Sequence, residues 1–523
     1  MHSLADLRRN LQPIFEKRSA EAWNRSQENV VVLKIIRILA LSLVIVVAPL
    51  NAEPIKVHPS NPHYFLFKGQ PTVLITSAEH YGAVLNSDFD YVAYFDALKS
   101  YGLNYTRIYP GELFEPVGKF MKGNTLGPKP ASLIVPWARS KVPGYMLGGN
   151  KFDLDQWDPA YFARLKDFVA QGAERGIVVE ICFFNGQYSD TWPISPLYYE
   201  NNIQGVGKCD PEDFQTLKHE DLVRREDDYV RKIIQEVNAY DNVILEICDE
   251  AMVGGTPIAE ASAWVGHLVG LIQNTESNLP NKHLVAQQVE GPLGGPYDWS
   301  SNPDVSIIVA QYAWGQGWLG GMQALDYEYG KNKPLEFNET NYYPMYKGDK
   351  VADSRVEAWE FIVGGGASFN QLNGLYTAEN PAGKTADNAQ ILGALKALKG
   401  FIYSFDFLKM HQDKSFIVGG VTSGAYCRGI SEPGRQYALY LHHSTDGKET
   451  AYKVTPGSYT EKLVLDLPAG GYKADWVDPA SGAIVRTDTF THPGGNRTFT
   501  SPEHSIDIAL RIARRFAPST PLR

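Results

Sequence analysis

Two stretches of the chain end on acids where an apolar run stops. The first, Asn242-Val243-Ile244-Leu245-Glu246-Ile247-Cys248-Asp249-Glu250, opens as a β-rich run and closes on two carboxylates, with Gly254 and Gly255 following. A run of this kind, bounded by turn residues, reads as a parallel strand buried on both faces. A carboxylate at its C-terminal end is poorly placed for packing and well placed for chemistry, because α/β barrels and open α/β sheets hold their sites there. The plainer alternative is that Asp249 caps the next helix and Glu250 is solvated. The second stretch, Lys333-Pro334-Leu335-Glu336-Phe337-Asn338-Glu339-Thr340, offers two acids. Glu339 falls where the strand ends. Glu336 falls mid-strand, pointing into a barrel or its helical shell, and its plain reading is a buried, hydrogen-bonded structural acid. Glu339 is therefore preferred as the partner of Glu250, with Glu336 as the alternative. Two carboxyl groups on two strand ends, one kept protonated and one ionised, are what retaining glycoside hydrolysis needs. A separation of ~5–5.5 Å suits retention, and ~6.5–9.5 Å suits inversion.

The elements that must position these acids alternate along the chain. Strand-like runs fall at 72–77, 104–109, 177–183, 242–248, 283–288, 305–310, 334–338 and 367–372. Helical patterns at 89–101, 159–175, 221–239 and 257–278 separate several of them. Asp158-Pro159 is a helix start, and Gly102 and Gly176 fall where helix C-terminal glycines belong. Eight β/α alternations predict a (β/α)8 TIM barrel over 53–410. A doubly wound open sheet is the alternative, but Ser77-Ala78-Glu79-His80-Tyr81 after the first strand is not the glycine-rich phosphate loop it would carry. Residues 110–157 and 184–218 are long insertions on the face where the acids lie, and such loops shape binding clefts. From 411 the pattern changes to short alternating runs with turn signals, at 415–421, 436–442, 462–467, 472–477, 483–490 and 505–512. This predicts a small antiparallel β-sandwich over 411–513, with 514–523 as a tail.

Composition narrows the class. At 523 residues the chain is too long for one ordinary core. A net charge of −10 argues against nucleic acid or another polyanion as partner. The 29 Tyr and 10 Trp suit faces that receive sugars, though such rings also fill cores. Four cysteines make no disulfide scaffold; Cys182 and Cys248 sit in apolar runs and read as buried free thiols. No metal spacing of the CxxC or HExxH type occurs, so neither metal nor cofactor is expected, and no GxSxG supports serine-based hydrolysis. Near the start, Lys34 and Arg37 precede an apolar core from Ile38 to Val47, and Leu50-Asn51-Ala52 offers a cleavage position before Glu53. The leader over 1–52 reads as a signal peptide or an uncleaved anchor, which places the rest of the chain in the secreted or periplasmic space, with no other membrane insertion expected.

These motifs resemble the clan A (β/α)8 glycoside hydrolases, the cellulase-like superfamily, across residues 60–405. In that family strand four ends in Asn-Glu, the Glu being the acid/base, and strand seven ends in the nucleophile Glu; Asp249-Glu250 and Glu339 match those places. Gly102-Leu103-Asn104-Tyr105-Thr106-Arg107 is similar to the family's second strand, whose Arg supports the nucleophile, and Gln311-Tyr312 follows the sixth strand, where the family often has His and Tyr. The resemblance implies a carbohydrate substrate. Two positions depart from it. Asp249 stands where an Asn amide donates to the sugar 2-hydroxyl, and a carboxylate accepts there instead. Gln311 stands where His is common. Tyr472-Lys473-Ala474-Asp475-Trp476-Val477-Asp478-Pro479 with Gly482 resembles the so-called collagen-binding domain found behind such barrels. Other candidates for the sugar site are Glu79, His80 and Tyr81 after strand one, Phe184 and Asn185 after strand three, and Trp314 and Trp318 beside strand six. His442-His443 in the sandwich reads as structural. An inactive carbohydrate binder, or an adhesion protein whose barrel is a scaffold, are the competing functions.

Overall fold

The computed structural model describes residues 53–289, 298–312, 319–340, 350–448 and 451–515. Eight parallel strands form the barrel: β1 (Leu74–Ala78), β2 (Tyr105–Ile108), β3 (Val178–Asn185), β4 (Val243–Asp249), β5 (Leu284–Gln288), β6 (Ile307–Gln311), β7 (Leu335–Glu339) and β8 (Ser368–Leu372). All but Leu284 of these residues are buried, as strands sandwiched between an interior and a helical shell must be. The ladder runs from β2 through β3 to β8 and on to β1. Asn104 closes the ring between β1 and β2. Its backbone N–H donates to the Ile75 carbonyl (3.3 Å). Its side chain supplies the rest of a ladder: Oδ1 accepts from the Ile75 N–H (3.0 Å) and Nδ2 donates to the Val73 carbonyl (3.0 Å).

The shell helices are α1 (Tyr91–Ser100), α2 (Pro159–Arg175), α3 (Glu220–Val237), α4 (Ile258–Ser277), α5 (Lys350–Val363) and α6 (Ala386–Ile402). Asp158 accepts from the Ala160 N–H with Pro159 at the first helical position, and Gly176 closes α2 in the left-handed conformation (φ 70°). The eight strand-like runs of the sequence all fall on barrel strands, with ends displaced by a couple of residues. The insertion after β2 differs from its loop-like composition. It contains an antiparallel hairpin, Trp137–Pro143 with Asn150–Trp157. Gly148 (φ 102°) and Gly149 (φ 84°) supply its turn, so the glycines that read as loop are what a hairpin needs.

The sandwich comprises β9 (His411–Gln412), β10 (Ile417–Gly419), β11 (Ala425–Glu432), β12 (Gln436–His443), β13 (Lys462–Leu467), β14 (Gly470–Val477), β15 (Ile484–His492), β16 (Gly495–Thr500) and β17 (Asp507–Arg514). Its larger sheet has the order β9-β11-β12-β17-β14-β15, and the smaller β10-β13-β16. The central strand β12 of the larger sheet is buried on both faces. On β12, Tyr437, Leu439 and Leu441 pack into the sandwich core, while Ala438 and Tyr440 join the barrel core, as the period of two requires. The described residues from Glu53 onward accordingly form one compact unit. Among the described residues no helix is long and apolar enough to cross a membrane.

Candidate active site

Three residues that follow barrel strands hold left-handed backbone: Tyr81 after β1 (φ 58°), Glu250 after β4 (φ 48°) and Tyr312 after β6 (φ 52°). Each such conformation costs on the order of 1–3 kcal/mol and persists only where its surroundings impose it. All three line a pocket at the C-terminal end of the barrel strands. The bend at Glu250 is held from two sides. Its N–H donates to Gln288 Oε1 (2.6 Å) on β5, and Gly186 lies so close that a Cβ there would overlap the Glu250 carbonyl oxygen. The Tyr312 N–H donates to the Glu339 carbonyl (2.6 Å).

The Tyr312 hydroxyl joins the two glutamates. It donates to Glu339 Oε2 (3.0 Å) and lies 3.5 Å from Glu250 Oε1. Contacts of 3.5 and 3.0 Å to one hydroxyl put those carboxyl oxygens within about 6.5 Å of each other. Tyr188, from the insertion after β3, donates to the other oxygen of Glu250 (2.6 Å).

Arg107, fully buried on β2, stands beneath. Its guanidinium fork goes first to Glu246 (Nε to Oε2 2.6 Å, Nη2 to Oε1 2.7 Å), then to Asp249 Oδ1 (3.2 Å) and Glu339 Oε1 (3.5 Å). The rings of Tyr81 and Tyr109 cover the cation at 4.9 and 5.4 Å. Asp249 is neither a helix cap nor a solvated acid, and Glu250 is buried as well. Asp249 accepts from Tyr109, Gln311, Asn185 Nδ2 (2.7 Å) and Arg107. With four donors it has little capacity left for a sugar hydroxyl. Gln311, the second departure from the family pattern, is thus a partner of the first, and Gln288 Nε2 orients it (2.8 Å).

Burial, then the Asp249 charge, pushes the Glu250 carboxyl up to about 7. Burial raises Glu339 too, with the charges of Asp249 and Glu250 adding to it and Arg107 and Tyr312 opposing. Asp249 is raised by burial against the pull of Arg107. Carboxyl groups this close cannot all ionise in a buried site, so the Glu250–Glu339 pair retains a proton near neutrality.

Other expected residues separate into those at the pocket and those elsewhere. His80 and Asn185 line it; His80 Nε2 lies 3.1 Å from Glu115 Oε2. Glu79 is not at the pocket. Its carboxylate turns back to accept from the Gly82 and Ala83 N–H groups (3.1 and 3.0 Å) and from Thr125, fixing the loop after β1. Phe184 faces the helical shell, packed on Trp264 and Tyr229. Glu336 lies deeper in the barrel, where the Tyr105 hydroxyl is hydrogen-bonded both to it (2.6 Å) and to Glu180. Trp314 and Trp318 are outside the described residues. Cys182 and Cys248 are buried free thiols. Among the described residues no group of three or more His, Cys, Asp or Glu side chains is arranged to hold a metal ion.

Sequence reasoning missed Glu246, Tyr109, Tyr188, Gln288 and Glu115. Glu246 carried a signal, an acid inside an apolar strand, which can be buried only with a partner. Tyr109 ends the same run as Arg107. Tyr188 and Glu115 come from insertions and had none.

Solved glycoside hydrolases share this fold. A candidate glycoside hydrolase from Bacteroides vulgatus ATCC 8482 matches 89% of this chain and 83% of its own, at 13% identity and a TM-score of 0.58. A glycoside hydrolase family 5 structure from the same organism matches 89% of this chain and 94% of its own, at 13% identity and a TM-score of 0.56. A third, named simply as a glycoside hydrolase, matches 89% and 98% with the same identity and TM-score. A span of 89% is longer than the barrel alone, so the likeness runs on into the sandwich. No family model and no curated protein matches the sequence.

Proposed function

We propose that this protein is an exported retaining glycoside hydrolase, with Glu339 as nucleophile and Glu250 as acid and then base. The observation that carries the reading is the Tyr312 bridge, which holds the two carboxyl oxygens within about 6.5 Å. That limit accommodates the ~5–5.5 Å of retaining enzymes and only touches the lower end of the ~6.5–9.5 Å of inverting ones. The likeness in fold to glycoside hydrolases supports the same class.

Roles follow from the hydrogen bonds. One phenol carries one proton, so Tyr312 donates to one carboxylate and accepts from the other when that is protonated. The shorter bond is to Glu339, which also faces Arg107. The Arg107 cation beside Glu339 favours the negative charge there and the proton on Glu250, against the Tyr188 hydroxyl that donates to Glu250 (2.6 Å) and the burial that raises Glu339. In the first step a Glu339 oxygen bonds to the anomeric carbon, the bond to the leaving oxygen breaks, and Glu250 gives that oxygen its proton. In the second step Glu250, now a carboxylate, takes a proton from water, whose oxygen displaces Glu339. Arg107, divided among Glu246, Asp249 and Glu339, positions the nucleophile without neutralising it. His80, Asn185 and Asp249 would border the bound sugar. Export rests on the leader over 1–52.

The test is covalent trapping. A 2-deoxy-2-fluoro glycoside with an activated leaving group, chosen after a screen of aryl glycosides and polysaccharides, should add one glycosyl unit to Glu339 by peptide mass spectrometry. A label on Glu336, or hydrolysis with inverted stereochemistry, would overturn the assignment.

A further inference from the structure

Six described non-glycine residues have positive φ. Lys68 sits in a turn before Gly69, and Asn332 ends a short helical turn in the left-handed conformation, both ordinary places for it. The remaining four, Tyr81, Glu250, Tyr312 and Phe120, all line the active-site pocket. Three of them follow barrel strands. Phe120 does not; it belongs to the insertion after β2. A bulky residue at φ 57° is strained, and Phe120 is also 39% exposed. The Lys119 ammonium lies 5.0 Å from the centroid of this ring.

Its surroundings fix its place. The Phe120 ring meets the Tyr188 ring edge to face, 6.2 Å between centroids, and Tyr188 donates to Glu250. Lys119 ties the two insertions together: its ammonium lies 4.1 Å over the Tyr188 ring and pairs with Asp190 at 2.6 Å. Asn124 Nδ2 donates to the Lys119 carbonyl (2.6 Å) and also to Glu115 (2.8 Å). Phe120 therefore stands at the Glu250 end of the pocket. In a retaining enzyme the acid is the group that meets the oxygen of the departing half of the substrate.

We propose that Phe120 is the platform for the leaving group: a sugar ring or aryl group rests a flat apolar face on this phenyl ring while its glycosidic oxygen meets Glu250. This rests on the glycosidase reading and adds a specificity-determining residue to it. An aromatic face attracts the C–H face of a pyranose or the plane of an aryl ring, and a held ring loses little entropy when it binds. The strain at Phe120 is then stability given up for a fixed ring position.

The two-step mechanism supplies the test, because the leaving group is gone before the second step. The wild-type protein and Phe120→Ala are compared on a dinitrophenyl glycoside, whose kcat is set by hydrolysis of the intermediate, and on a disaccharide of the same sugar. The expected result is a kcat/KM lowered roughly three- to tenfold on both substrates, with kcat unchanged on the dinitrophenyl glycoside. Transfer to an added aryl or sugar alcohol should fall by a similar factor relative to transfer to water, because the acceptor re-enters the leaving-group site. Phe120→Trp should restore both. Equal kcat/KM and equal transfer in Phe120→Ala and wild type would overturn the platform and leave the glycosidase reading intact. Wild-type protein that cleaves nothing in a broad screen would overturn the glycosidase reading and this proposal with it.

Discussion

At the barrel–sandwich interface, Arg428 donates to Glu360 (2.6 Å) and Asp326 (2.8 Å), and His442 Nε2 lies 2.9 Å from the other oxygen of Glu360. At the barrel mouth, Arg107 is divided among Glu246, Asp249 and Glu339, while the hydroxyls of Tyr188 and Tyr312 serve Glu250. Both networks are buried. Against the cost of burial, His442 and Arg428 hold Glu360 down to about 2, and Arg428 and two lysines hold Asp326 low. At the mouth the balance goes the other way, with Glu250 pushed up to about 7 and Glu339 raised beside it. The interface matches its acids with cations and so stabilises a docked pair of layers. The mouth has more acids than cationic charge to meet them, and that surplus keeps one proton in a place where it can be transferred.

The largest expected effect comes from removing an acid at the mouth. Glu339→Ala should abolish turnover of every substrate, because no covalent intermediate can form. Azide should restore part of the activity, with a product of inverted stereochemistry. Residual activity equal to wild type would erase the contrast between the networks, since Glu339 would then be a structural acid like Glu360.

Glu250→Ala sharpens the contrast by leaving group. General acid assistance is worth roughly 10²–10⁴-fold. A disaccharide should lose that much in kcat/KM, and a dinitrophenyl glycoside, which departs with little need of a proton, far less. The pH profile should shift as well: the limb assigned to Glu250, near pH 7 from its raised pKa, should be lost in the variant.

The positions of the two acids were legible because strand ends are legible. Apolar runs eight times over, closed by turn residues, mark parallel strands, and an acid at the end of such a run has few other uses. Side-chain direction was not legible where a loop turns back on itself. Glu79 follows β1 as closely as His80 does, yet its carboxylate serves two backbone amides of its own loop. Glu246 needed a partner that only the closed barrel brings to it, since Arg107 lies two strands away on β2. Tyr188 and Phe120 lie in insertions whose course no periodicity records. Conversely β11, with Ala425, Tyr426 and Cys427 half-buried, lacked the clean alternation by which β13 could be read.

At the interface the same kind of deletion should act on stability and not on chemistry. Arg428→Ala leaves Glu360 to His442 and Tyr452, and the half-buried Asp326 to Lys414 and Lys448. The expected loss is below the about 3–5 kcal/mol of a buried charge left with no partner, read as a lower denaturation midpoint with kcat of the folded protein unchanged. A kcat that falls with stability intact would show that the interface acts on the mouth.

The smallest effect per unit change is that of pH, and it separates the two kinds of acid by sign. Glu79 and Glu226 are fully buried acids, each pushed up to about 8 by burial, and their bonds come from amides, a hydroxyl and an indole N–H. Their pKa in the folded chain exceeds the ordinary value of 4.5, so the native state holds more protons than the unfolded state between those limits. Stability must therefore fall as pH rises from about 4.5 to about 8, by about 1.4 kcal/mol per pH unit for each group within that window. Glu360 is depressed to about 2. Its contribution is present above 4.5 and is lost as pH falls from there through about 2. Urea denaturation from pH 3 to 9 should show both slopes. Glu226→Gln, which keeps an acceptor for Trp264, should flatten the slope between 4.5 and 8 and leave the acid limb unchanged. Glu360→Gln should flatten only the acid limb. If Glu226→Gln leaves the slope above pH 5 as it was, Glu226 is ionised in the folded protein, and the shortage of cations that marks the mouth would not extend to the rest of the barrel.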